Sequence, residues 1–83
     1  MVNDGDFVAV FNSIHRVMKA EKILKGMQLE ILLIPVPRAL QSDCGLAIRY
    51  GAEIRTIVEC ELAKAELLPA EIYVKSHDQY LKV

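Results

Sequence analysis

Eighty-three residues, 53% of them hydrophobic and 6% aromatic, describe one small domain with a core of Ile, Leu, Val and Ala; a chain this short buries only roughly 60% of its unfolded surface. A net charge of −1 and a pI near 6.1 argue against nucleic acid as a partner, which would call for a basic stripe. No apolar run approaches the ~20 residues that span a bilayer, so no membrane segment is expected.

The opening Met-Val-Asn-Asp-Gly-Asp lacks the basic and apolar regions of a signal peptide, and a cytoplasmic setting follows as the expectation. Residues 1–5 read as a frayed end. Asp6–Phe11 reads as a strand with Phe7, Ala9 and Phe11 on one face and Val8 and Val10 on the other, so both faces are apolar and the strand is expected to be central. Asn12 or Ser13 can cap a helix to about Met27, whose inward stripe is Ile14, Val17, Ala20, Leu24 and Met27. Gly26 is placed to loosen or end its last turn.

Glu30–Ile34 is a second strand, stopped by Pro35, and a proline-punctuated loop leads to a third strand, Gly45–Tyr50. Gly51 breaks that strand. A second helix is expected from about Ala52 to Leu67, with Ile54, Ile57, Val58, Leu62, Ala65 and Leu68 at helical spacing and Pro69 as its stop. Ala70–Lys75 is a fourth strand, and residues 76–83 form a tail or a short extra strand.

The order β-α-β-β-α-β predicts an α+β, ferredoxin-like fold: one domain over 1–83 with its core at about 6–75, a four-stranded antiparallel sheet and two helices on one face. The other sheet face carries apolar residues from the first two strands. Leaving them in water is unfavourable at about 25 cal/mol per Å², so a homo-oligomer formed through that open face is expected.

In this topology the end of the first strand meets the start of the third, and Asn12–His15 is expected beside Cys44–Gly45. A free thiol is about 3% thiolate at pH 7, and only the thiolate is a good nucleophile. A helix N-terminus and a nearby cation, with Arg38, His15 and Arg49 as candidates, would raise that fraction. Arg49 is the weakest of the three, since five residues of extended chain place it roughly 16 Å from Cys44. A lone cysteine is more often a small buried hydrophobe, and an early-helix histidine more often a solvated surface residue. Cys60 falls outside the apolar stripe of the second helix and reads as an incidental surface thiol. The two cysteines match neither a disulfide framework nor a zinc spacing, and no residue cluster suggests a metal or cofactor.

The strings Phe11-Asn-Ser-Ile-His-Arg-Val-Met-Lys-Ala-Glu21, Ile34-Pro-Val-Pro-Arg38 and Ser42-Asp-Cys-Gly-Leu-Ala-Ile-Arg49 resemble a bacterial family of small selenium/sulfur-carrier-like proteins. The resemblance covers about residues 6–75. It implies a ferredoxin-like fold and a cysteine that takes up sulfur or selenium as a persulfide or perselenide. On the matching positions Cys44 would be the carrier, His15 or Arg38 would stabilise its anion, and Ser13, Ser42, Gly45 and Arg49 would line the site. Donor and acceptor proteins would be its partners, and it would have no turnover chemistry of its own. The residues leave a second reading open: a small-ligand-binding or regulatory module with an anion site at Arg38 and Arg49 and a structural cysteine. A third is a partner subunit whose functional surface is the apolar sheet face. A hydrolytic enzyme fits least, because the Cys–His pair lacks an evident orienting group.

Overall fold

A computed structural model describes residues 2–41 and 44–83. Strands β1 (Phe7–Val10), β2 (Ile31–Pro35), β3 (Leu46–Tyr50), β4 (Glu71–Ser76) and β5 (Gln79–Lys82) form one sheet. Helix α1 (Ile14–Gly26) follows β1, and α2 (Arg55–Lys64) follows β3 after a short 3-10 turn at Ala52–Ile54. The sheet order is β2-β3-β1-β4-β5, with every neighbouring pair antiparallel. This is an α+β fold with two helices and a five-stranded antiparallel sheet. β3 sits between β1 and β2, as a split β-α-β arrangement requires. The expected four strands become five, because residues 79–82 pair with β4 through Tyr73↔Lys82, Val74↔Leu81, Lys75↔Tyr80 and Ser76↔Gln79.

β1 is the middle strand, and all four of its residues are buried. The alternation that makes both its faces apolar creates two cores. On the helix side, Phe7, Ala9 and Phe11 meet Ile31, Ile48 and Tyr50, roofed by Val17, Ala20 and Leu24 of α1 and Val58 and Leu62 of α2. On the far side, Val8, Val10, Ile34 and Ala47 form a second cluster, covered by Val2, Val36, Leu40, Tyr73 and Tyr80.

That second cluster corrects the expectation of a bare sheet face waiting for another copy of the chain. Val8, Val10, Ile34 and Ala47 are at most 2% exposed in a single protomer. The cover comes from the segment before β1, the β2–β3 loop and two tyrosines, so most of the burial assigned to an oligomer is achieved within one chain. Leu32, at 39% exposure, is the large apolar residue this face still shows to solvent. Residues 2–5 are likewise tied down rather than frayed. Asn3 and Asp6 exchange backbone and side-chain hydrogen bonds, and the Gly5 N–H donates to the Lys75 carbonyl at 2.9 Å.

Both helices end in the same way: α1 closes at Gly26, where the sequence suggested, and α2 closes at Lys64, short of the expected Leu67. In α1 the left-handed residue is Gln28 (φ 62°), two positions past Gly26. Gln28 N–H donates to the Lys25 carbonyl and Leu29 N–H to the Leu24 carbonyl. In α2 it is Glu66 (φ 58°), with Glu66 N–H on the Ala63 carbonyl and Leu67 N–H on the Leu62 carbonyl. These paired bonds are Schellman motifs. The second therefore stops α2 before Pro69 is reached, and it turns Leu67 into the helix-side core. At the other end of α1, Ser13 is the cap, its hydroxyl accepting from Arg16 N–H at 3.4 Å. Arg16 Nη2 then donates to the Glu66 carbonyl at 2.9 Å, tying the start of α1 to the end of α2.

Away from that junction, Phe7 and Tyr50 stack at 5.8 Å between ring centroids, and the Arg55 guanidinium lies 4.4 Å from the centre of the Phe7 ring. Glu59 Oε2 accepts from both the Tyr50 hydroxyl and Arg55 Nε. Burial, then the charge of Glu59 and the hydrogen bond to it, push the Tyr50 phenol well above its ordinary 10.0.

Two predictions follow from these contacts. Because a left-handed non-glycine residue carries a steric cost, Gln28→Gly and Glu66→Gly should each raise stability by about 0.5–1 kcal/mol in urea unfolding. Because the folded chain holds the Tyr50 proton to higher pH than the unfolded chain, that contribution is complete below pH 10 and falls away as pH rises further. The drop in urea midpoint between about pH 8 and about pH 11 should thus be smaller in Tyr50→Phe than in the parent protein.

Candidate functional site

The loop from β2 to β3 is organised by its two roots. Val36 N–H donates to the Gly45 carbonyl at 3.0 Å, prolonging the β2–β3 ladder by one bond, and Leu40 N–H donates to the Pro37 carbonyl at 2.9 Å, turning the chain back. Leu40 then packs into the far-side cluster. Gly45 sits at φ 75°, a left-handed conformation that costs roughly 1–2 kcal/mol for a residue bearing a Cβ. Glycine at this position lets the chain reverse from Cys44 into β3.

Cys44 is a half-buried cysteine outside any disulfide, packed against the helix-side core. Its Sγ lies 3.3 Å from the carbonyl oxygen of Phe11 and 3.3 Å from that of Leu46. Phe11 is the residue that leaves β1, and Ser13 caps α1 two positions later. The thiol therefore stands where the end of β1, the entry to α1 and the start of β3 converge, the juxtaposition expected from strand order. Both of these contacts are to hydrogen-bond acceptors, to which an S–H can donate.

The other expected site residues disperse around this point. Ser13 is half-buried and engaged as the α1 cap. His15 is exposed on the first turn of α1. Arg49 belongs to the opposite sheet face: in register with Val8 and Leu32, it donates from Nη1 to Asp6 Oδ2 at 3.0 Å, with side chains only 16% and 13% exposed. The expectation that Arg49 lines the cysteine site is corrected by the pleat, which turns residue 49 away from the face that Cys44 packs on. Arg49 Nε is buried without a partner, so Asp6 is the group that holds this charge in place. Ser42 lies outside the described residues.

Arg38 is exposed and also stands on the far side. It contributes to a groove of 340 Å³ with Val2, Pro35, Val36, Pro37 and Tyr80. No local pattern announces this groove, because Val2 and Tyr80 are 78 positions apart and come to one groove only through the pairing of β5. Cys60 is exposed on α2. Among the described residues no group of His, Cys, Asp or Glu side chains could hold a metal ion, and no helix is long and apolar enough to cross a membrane.

The structure thus defines a small α+β domain that presents a half-buried cysteine, outside any disulfide, where the central strand gives way to the first helix. A family model described as "Putative Se/S carrier protein-like" matches residues 6–74, and the chain belongs to that family. No curated protein and no solved structure matches it.

The assignment of Arg49 to the fold can be checked directly. Asp6→Ala strands a largely buried guanidinium and should cost about 2–3 kcal/mol in urea unfolding. The rate of Cys44 alkylation, measured under conditions where this variant remains folded, should match that of the parent protein.

Proposed function

We propose that this protein carries sulfur or selenium on Cys44, accepting the atom from a donor protein and handing it to an acceptor. The observation that supports this most is the setting of Cys44: a cysteine outside any disulfide, half-buried, at a chain junction inside the segment matched by a carrier family. We read the fold as a ferredoxin-like core extended by a fifth strand, with the cysteine at one end of the central strand.

The transfer is a thiol–persulfide exchange. Cys44 loses its proton, and the sulfur attacks the outer sulfur of a donor persulfide, R–S–SH. A new S–S bond forms on Cys44 as the donor's S–S bond breaks, and the departing thiolate takes up a proton to give R–SH. The net change, Cys44–SH plus R–S–SH giving Cys44–S–SH plus R–SH, needs no external oxidant or reductant. Selenium follows the same balance from a donor carrying R–S–SeH. The reverse exchange with an acceptor thiol or selenol unloads the carrier, so the protein acts as an accessory and requires no turnover chemistry of its own.

The Cys44 sulfur, within 3.3 Å of the carbonyl oxygens of Phe11 and Leu46, must swing free of them before it attacks. Docking of the donor at the β1–α1 junction is the step that accomplishes this. His15, exposed on the first turn of the adjoining helix, is the side chain we assign to the new anion. Arg38 takes no part in this reading, since it stands on the other side of the sheet.

Incubation with a cysteine desulfurase and cysteine, followed by intact-mass and peptide mass spectrometry without reductant, tests the proposal. The expected result is one added sulfur on Cys44, absent from Cys44→Ser and retained in Cys60→Ser. No added sulfur, or sulfur distributed equally between Cys44 and Cys60, would overturn it.

A further inference from the structure

The groove on the far side of the sheet is separate from the cysteine. Its lining joins four parts of the chain: Val2 before β1, Ile34 and Pro35 at the end of β2, the loop residues Val36, Pro37 and Arg38, and Tyr80 of β5. Two prolines and a tyrosine contribute rigid, flat apolar surface, and Arg38 supplies the only charged side chain among the lining residues. Among the described residues no carboxylate pairs with Arg38, whereas Arg49 and Arg55 are paired with Asp6 and Glu59.

From this arrangement we infer that the groove is a binding site for a small monocarboxylate with an apolar body, its carboxylate on Arg38 and its body against Pro35, Val36, Pro37 and Tyr80. Size sets the first limit. A volume of 340 Å³ lies at the small end of the range for ligand clefts, about 300–1,000 Å³, too little for a dinucleotide or a protein helix. Polarity sets the second. A group with charge at both ends would set one of them beside valine and proline side chains, which offer it no hydrogen-bond partner. The guanidinium sets the third. Its planar fork matches the two oxygens of a carboxylate, whereas a phosphate monoester brings a charge of about −1.5 to −2 to a single cation.

This inference rests on nothing assigned to Cys44 and stands or falls separately from the carrier reading. The test is an NMR titration of the full chain with 3-phenylpropionate, beside the isosteric neutral alcohol 3-phenylpropan-1-ol and inorganic phosphate. The acid is expected to saturate, moving the amide signals of Val36, Arg38 and Tyr80. The alcohol should bind roughly tenfold more weakly, for want of the charged hydrogen bonds, and phosphate should leave these signals unmoved. Arg38→Gln, at an exposed position, should lower the affinity for the acid to that of the alcohol while the rest of the spectrum is unchanged. Val36→Trp, which fills the groove, should abolish both. Equal affinities for acid and alcohol, perturbations that map away from the groove, acid binding undiminished in Arg38→Gln, or no saturation by the acid would each overturn the inference.

Discussion

The constraint on which this molecule depends is the apolar character of β1 on both faces. A strand with Phe7 and Ala9 on one side and Val8 and Val10 on the other has no wet face, so it must occupy the middle of the sheet and be covered twice. Two amphipathic helices supply one cover. Among the described residues there is no third helix for the other, and that face is closed by a pinned N-terminal turn, a folded-back loop and two tyrosines. The second cover is thinner, and for that reason it contains a groove.

The same constraint explains the position of the cysteine. β1 ends at Val10, and Phe11 is still part of the helix-side core, with 1% of its surface exposed. Its side chain is fixed by packing, and its carbonyl therefore offers a fixed point to whatever lies across from it in β3 or just before. Cys44 is that neighbour. Glycine at position 45 is the local concession that lets the chain present a sulfur there and then enter the ladder in register.

Hydrophobic alternation was enough to read the four core strands, the two helices and the central place of β1 from the sequence, because each is a local pattern that tertiary packing reinforces. It was also enough to bring the end of the first strand to the start of the third, since strand order fixes which strand ends meet. Three features were not legible, each for a physical reason. The helix stops depend on Gln28 and Glu66 adopting left-handed geometry, which their side chains do not advertise. Arg49 reads as a cation near a thiol until the pleat and a partner 43 residues away claim it for the fold. The groove is assembled from residues 2, 34–38 and 80, and nothing local announces such a meeting.

The hydrogen bond from Val36 to Gly45 closes a single loop whose first root faces the groove and whose last root holds the sulfur. The two roots belong to opposite faces of the sheet: Cys44 packs on the helix-side core, and the groove residues Val2, Val36 and Tyr80 pack on the far-side cluster, so one short stretch of backbone serves both layers.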